Sequence, residues 1–138
     1  MGTSRNFASL VARVILGVIF IFHGWQKLHT NGISATEAFF KSLDIPFPKA
    51  AAWYSALVEF GGGILLILGV LMPLVSLLLI ADMIGAIFYA HIDKGFWNAD
   101  GGYELPLALI AGLVAVGLAE TGRTGADGYF TSRRRNRV

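Results

Sequence analysis

The 138 residues of this chain are 55% hydrophobic and 14% charged, with a net charge of +2 and a mean hydropathy of +0.64. Soluble domains carry roughly a quarter of their residues as charges, so the composition describes a membrane protein and excludes both a water-soluble globule and a disordered chain. The absence of cysteine removes disulfides, thiolate nucleophiles, Cys-ligated zinc and iron–sulfur clusters together.

The first apolar segment runs over about 7–28 and is uninterrupted from Val14 to Phe22, with Trp25 and Lys27 as interfacial residues after it. At 1.5 Å per residue it covers a hydrocarbon core of about 30 Å. Arg13 interrupts the run and no small-residue cleavage site follows, which reads as a retained span rather than a signal peptide. An outer loop over 29–50 holds Pro46 and Pro48 and a short amphipathic helix at Ala35 to Leu43, with Phe39 and Phe40 on its apolar face. The next 41 residues, Ala50 to Ala90, contain only Glu59 and Asp82 as charges. One helix of that length would be about 60 Å long, twice the membrane thickness, so the chain must reverse. Gly69 to Pro73 is the place for it, giving spans at about 51–71 and 73–91. A polar turn follows, then a span at about 103–120 with Pro106 in its first turn. Residues 122–138 form a polar tail carrying Arg133, Arg134, Arg135 and Arg137. The expectation is an all-α polytopic membrane protein: a four-helix transmembrane bundle over 1–121 and a basic tail. Arg5 and the arginine tail put both termini in the cytoplasm. The tail faces anionic lipid rather than nucleic acid.

Ionisable residues inside spans are costly and usually face a bundle interior or cavity. His23, Lys27, Glu59, His91 and Glu104 fall in the outer half of such a bundle by depth, with Asp82 beneath them and Arg13 towards the cytoplasm. Together they suggest an outward-opening polar pocket for binding a ligand or handling protons. Each also has a plainer structural role: snorkelling for Arg13, an interhelical hydrogen bond for Glu59 or Asp82, one satisfied hydrogen bond for either histidine, and a helix-start acid for Glu104. Gly61, Gly62 and Gly63 after Glu59 permit close helix packing, as do Gly17, Gly24, Gly112 and Gly117. Trp25, Trp53, Tyr54 and Trp97 read as an outer aromatic belt. No pair among His23, Glu59, His91 and Glu104 has a familiar metal-ligand spacing, which argues against a metal, and the shallow histidines argue against haem. No Walker loop, dinucleotide fingerprint or nucleophile elbow is present.

The residues from about Leu10 to Asp127 resemble the DoxX family of small four-helix bacterial membrane proteins. The matching features are Arg13, the His23-Gly24-x-x-Lys27 end of the first span, Glu59 followed by glycines, Asp82-Met83, His91 and Gly102-Tyr103-Glu104-Leu105. Gly122-Arg123-x-x-x-Asp127 closes the match, with Gly125 where serine is usual. That family takes its name from a membrane subunit associated with an archaeal thiosulfate:quinone oxidoreductase, and some actinobacterial relatives are linked to a complex handling oxidative stress and thiols. The resemblance implies the bacterial inner membrane and an accessory or quinone-docking subunit of an oxidoreductase complex. Quinone is the cofactor it points to.

In that reading His23 or Lys27 donates to one quinone carbonyl and His91 to the other, while Glu59 relays protons with Asp82 or Glu104. Electrons come from redox partner subunits. Two other readings compete: a small proton-coupled transporter or channel acting as a homo-oligomer, and a non-catalytic scaffold that holds soluble enzymes at the membrane. Beyond such subunits or copies of itself, the expected partner is membrane lipid.

Overall fold

A computed structural model describes residues 2–119 and 125–135, and within them the chain is helices and turns with no strand. α1 (Gly2–Trp25) runs without a break into a π-helical turn, Gln26–Thr30. α2 (Ile33–Ser42) is short, α3 (Pro48–Leu68) and α4 (Met72–Ala86) are long, and α4 continues into a second π-helical turn, Ile87–His91. α5 (Glu104–Leu113) ends in a third, Val114–Leu118, and α6 (Gly125–Arg135) closes the described chain.

Three helical stretches are long and apolar enough to cross a membrane: Thr3–Thr30, Pro48–Leu68 and Met72–Lys94. The apolar helix Glu104–Leu118 is shorter; at 1.5 Å per residue it reaches about 22 Å. The expected end of the fourth span at Glu120, the domain boundary after residue 121, Gly122, Arg123 and Arg137 lie outside the described residues. Within the region expected as a polar tail, residues 125–135 form helix α6, whose first turn docks on the bundle.

Glycine decides how α1 meets α3. A Cβ on Gly63 would lie 2.6 Å from the Gly17 carbonyl oxygen, and one on Gly24 would run into the Phe60 backbone. These two crossings bring the helix backbones together. Gly62 packs on Leu79 of α4, whereas Gly61 has nothing within 4 Å and faces open space. The expectation of close packing therefore fits Gly62 and Gly63 and fails for Gly61, which opens on a shallow groove beside α4 instead of meeting a neighbour. Gly112 and Gly117 make room for Leu16 and Ser76. The core between the helices is formed by Leu16, Phe20, Leu66, Val75, Leu79, Met83, Leu109 and Leu113.

The α3–α4 reversal uses Gly69 at φ +69° and Leu71 at φ +51°, with Pro73 in the first turn of α4. Leu71 stands at the helix start without a side-chain oxygen to cap it. Asp127 supplies the cap from α6: its carboxylate accepts from the backbone N–H groups of Leu71 (3.2 Å) and Met72 (2.9 Å). Its own N–H donates to the Gly69 carbonyl at 3.0 Å. Four orphan N–H groups at a helix start need such partners, and here they are drawn from 55 residues away in sequence.

Candidate functional site

At the other end of the bundle α3 buries Glu59. Its Oε2 accepts from Lys27 Nζ at 2.6 Å, with the two side chains 3% and 19% exposed. Ser55, one turn earlier on α3, donates to Glu59 Oε1 at 3.4 Å. Asp82 of α4 lies against Glu59, with Ser55 and Lys27 also in its surroundings, and its Oδ2 is buried without a hydrogen-bond partner. One carboxyl group thus pairs with the ammonium and a second lies beside the pair. In a low-dielectric surrounding such a cluster is held by its mutual hydrogen bonds and is sensitive to any further charge or donor.

Lys27 reaches Glu59 from the π-helical turn after α1. The wider turn, closed by Asn31 N–H to the Gln26 carbonyl at 2.8 Å, shifts the register of the side chains that follow α1, and π turns recur at functional positions. Buried Thr36 of α2 fixes that turn, its hydroxyl lying 3.0 Å from the Gly32 carbonyl and 3.3 Å from the Lys27 carbonyl. His91 ends the second π-helical turn. Its Nδ1–H donates to the Gly101 carbonyl at 2.6 Å, which leaves Nε2 as the acceptor of the neutral ring.

These groups form a partition between two cavities. The first, about 260 Å³, opens among α2, α3 and α4 and is lined by Phe39, Phe40, Tyr54, Ser55, Glu59, Asp82, Tyr89 and His91, with Lys27 at its edge. The second, about 240 Å³, lies among α1, α4 and α5, with Phe20, His23, Met83, Asn98 and Leu105 on its wall. Lys27, Glu59, Ala86 and His91 line both. The lining is apolar and aromatic apart from a few convergent polar groups, the usual make-up of a small-molecule site.

Of the residues singled out from sequence, Lys27, Glu59, Asp82 and His91 come together at the first cavity, and His23 reaches the second. His23 is otherwise exposed, its Nδ1–H donating to the Ile19 carbonyl at 2.8 Å. Glu104 lines neither cavity. Its Oε2 accepts from the Asn98 N–H at 2.9 Å, bracing the loop before α5. Arg13, 4% exposed, is fourteen residues from Lys27, about 21 Å along the helix; its Nη1 donates to the Ile67 carbonyl at 3.4 Å and it packs on Gly69 and Gly125. Glu104 departs from the pocket its depth suggested, because depth in a span does not fix rotation; Arg13, named with the ligand-handling residues, stands at the opposite end, where its depth had placed it. Ser55 and Tyr89 were not anticipated, and Tyr54, read from sequence as part of the aromatic belt, also lines the first cavity. Ser55 was findable, since it stands four residues before Glu59, on the same helix face. Among the described residues no three of His, Asp and Glu are grouped to hold a metal ion.

The DoxX family model matches residues 8–92, which include Lys27, Glu59, Asp82 and His91. CatD of Bacillus subtilis, whose name assigns it provisionally to the oxidoreductases, is 34% identical over 80% of this chain and 80% of its own. The inner membrane protein YphA of Escherichia coli is 30% identical over 72% of this chain and 68% of its own. An uncharacterized membrane protein of Mycobacterium tuberculosis, Rv3486, is 25% identical over 88% of this chain and 80% of its own. No solved structure matches.

Proposed function

This chain belongs to the DoxX family of membrane proteins, and on that premise we propose that it docks a quinone headgroup for a membrane-associated oxidoreductase complex. The observation that carries this reading is the wall of Lys27, Glu59 and His91 shared by two cavities in apolar surroundings, with Asp82 against it. At about 260 Å³ the first cavity falls just under the usual 300–1,000 Å³ of drug-sized sites, which suits a single ring. The name of CatD adds support from a relative.

A bound quinone would supply two-electron, two-proton carrier chemistry, with electrons exchanged through a partner redox subunit. This chain's residues hold and protonate. Lys27, kept in place by Glu59, donates a hydrogen bond to a ring oxygen. His91, its Nδ1–H held by the Gly101 carbonyl, would offer Nε2 as an acceptor to a quinol hydroxyl when neutral and as a donor to a quinone oxygen when protonated, and Asp82 would give or take a proton beside Glu59. Tyr54, Tyr89, Phe39 and Phe40 exclude water and present ring faces for stacking.

With this function goes a topology of four crossings in the inner membrane, with both termini in the cytoplasm and the two cavities towards the outer face. The excess of arginine in α6 and the inner-membrane name of YphA support it. Because the chain has no cysteine, single cysteines at Ser4, Asn98 and Ser132 report sidedness cleanly. In intact cells a membrane-impermeant maleimide is expected to label only the Asn98→Cys variant; labelling of Ser4→Cys or Ser132→Cys contradicts the topology.

Docking is tested with a photoreactive azidoquinone on protein in lipid nanodiscs. Labelled peptides are expected to contain Tyr54, Asp82 or Tyr89, with labelling competed by unmodified quinone and lost in Glu59→Gln. Uniform labelling of lipid-facing residues, unaffected by competitor, would refute docking.

A further inference from the structure

A ring-sized cavity accounts for a headgroup and leaves an apolar chain to be housed elsewhere. Beside the first cavity, the lateral seam between α3 and α4 holds a further hollow. Along α4 the cavity is lined by Asp82, Ala81 and Gly85, and one turn nearer the start of the helix Leu78 and Val75 line an apolar groove of about 240 Å³. Along α3 the cavity takes Ser55 and Glu59, and the groove takes Leu57, Gly61 and Leu65. At the junction the Tyr54 hydroxyl donates across the seam to the Leu78 carbonyl at 2.9 Å, so one residue of the cavity wall is tied to one of the groove.

Gly61 lines this groove without a side chain of its own. Its neighbours Gly62 and Gly63 are filled by Leu79 and by α1, but a Cβ on Gly61 would touch nothing within 4 Å. Helix packing does not explain a glycine there, and glycine is a poorer residue than alanine in a helix interior. Leu57 and Leu78 beside it are exposed, so the groove opens sideways to lipid. From Glu59 to Leu65 the helix rises about 9 Å, running from the charged cluster into the uncharged stretch of α3.

We propose that the site takes an amphiphile from the lipid phase, with its polar ring at Lys27, Glu59 and Asp82 and its apolar chain in the α3–α4 groove, and that Gly61 sets the specificity for that chain. The inference rests on the headgroup reading above and names the class of ligand: a chain-bearing quinone, entering laterally, in preference to a tail-less one. An ordinary lipid chain is the competing occupant.

The test compares two probes on the protein in nanodiscs, a tail-less dimethoxymethylbenzoquinone and its decyl counterpart, with each affinity expressed per probe dissolved in the membrane. The decyl compound is expected to bind at least tenfold more tightly. Gly61→Leu, whose Cβ has room at that position and whose branch extends into the groove, is expected to remove that advantage while leaving the tail-less affinity within twofold; Leu78→Trp is expected to do the same from α4. A decyl probe with a diazirine at its chain end is expected to crosslink to Leu57, Leu65 or Leu78. Equal affinity of the two probes, or a decyl advantage that survives both variants, overturns the groove and leaves the headgroup site standing. A chain-end probe displaced equally by phospholipid lacking the ring assigns the groove to ordinary lipid and overturns the inference as well. Failure of both probes to bind overturns the headgroup reading and this inference with it.

Discussion

The two ends of the bundle both bury charge, and they use it differently. At the α3–α4 turn, Asp127 and Arg13 are spent on backbone groups: the carboxylate caps α4 at Leu71 and Met72, and the guanidinium reaches the Ile67 carbonyl. The hollow beside them, about 350 Å³, has no carboxylate among its described lining residues. At the opposite end Glu59 and Lys27 bind side chain to side chain between two cavities, with Asp82 beside them and one of its oxygens left over. The difference separates a charge that secures the fold from a charge that keeps a site polar. Charge spent on backbone closes a turn, and charge clustered at a void is open to a ligand.

Breaking the cluster should give the largest effect. Glu59→Gln leaves the Lys27 ammonium without its counter-charge, and disrupting a buried pair costs about 3–5 kcal/mol. Lys27 keeps some access to solvent, so a loss of roughly 3 kcal/mol is expected, with quinone binding down more than tenfold. Denaturant or thermal unfolding in detergent, beside a binding titration, reads both. Asp127→Ala should come next on stability and be silent on binding. It uncaps α4 at a cost of about 1–2 kcal/mol, a fall in melting temperature of several degrees, with quinone affinity within twofold of wild type. If Asp127→Ala weakened binding as much as Glu59→Gln, the two ends would not be distinct.

His91→Ala sharpens the comparison from within the site. It removes the Nε2 group from both cavities and the hydrogen bond to Gly101, so binding should fall about three- to tenfold with a stability cost of about 1 kcal/mol. Glu104→Gln keeps an acceptor for the Asn98 N–H and lines no cavity. It should change binding by less than twofold and stability by about 0.5 kcal/mol, measured in the same titrations.

Much of the architecture is legible in the residues. A run of 41 with two charges has to reverse, and Gly69 with Pro73 marks where a left-handed turn and a helix start can stand. Glu59 and Asp82 stand out because a lone acid in an apolar run needs a reason. Rotation about each helix axis is what the pattern does not carry. Depth alone grouped Glu104 with the site, yet Glu104 turns to its own loop, whereas Arg13 stands at the end its depth assigned to it. Each residue advances an α-helix by about 100°, so the π-helical turns that present Lys27 and His91 displace the faces a regular helix would predict. The same uncertainty made three adjacent glycines look alike, when Gly62 and Gly63 face partners and Gly61 faces the membrane. Asp127 was recognisable as part of a motif, but its role depends on a turn more than fifty residues away.

The most direct test of the separation between the two ends is a quinone titration of wild type, Glu59→Gln and Asp127→Ala in the same nanodisc preparation. Saturable binding that is lost in Glu59→Gln and kept in Asp127→Ala is the expected result. Uptake that never saturates, or that is equal in all three proteins, would mean that quinone only partitions into the lipid and that the buried cluster serves the fold alone.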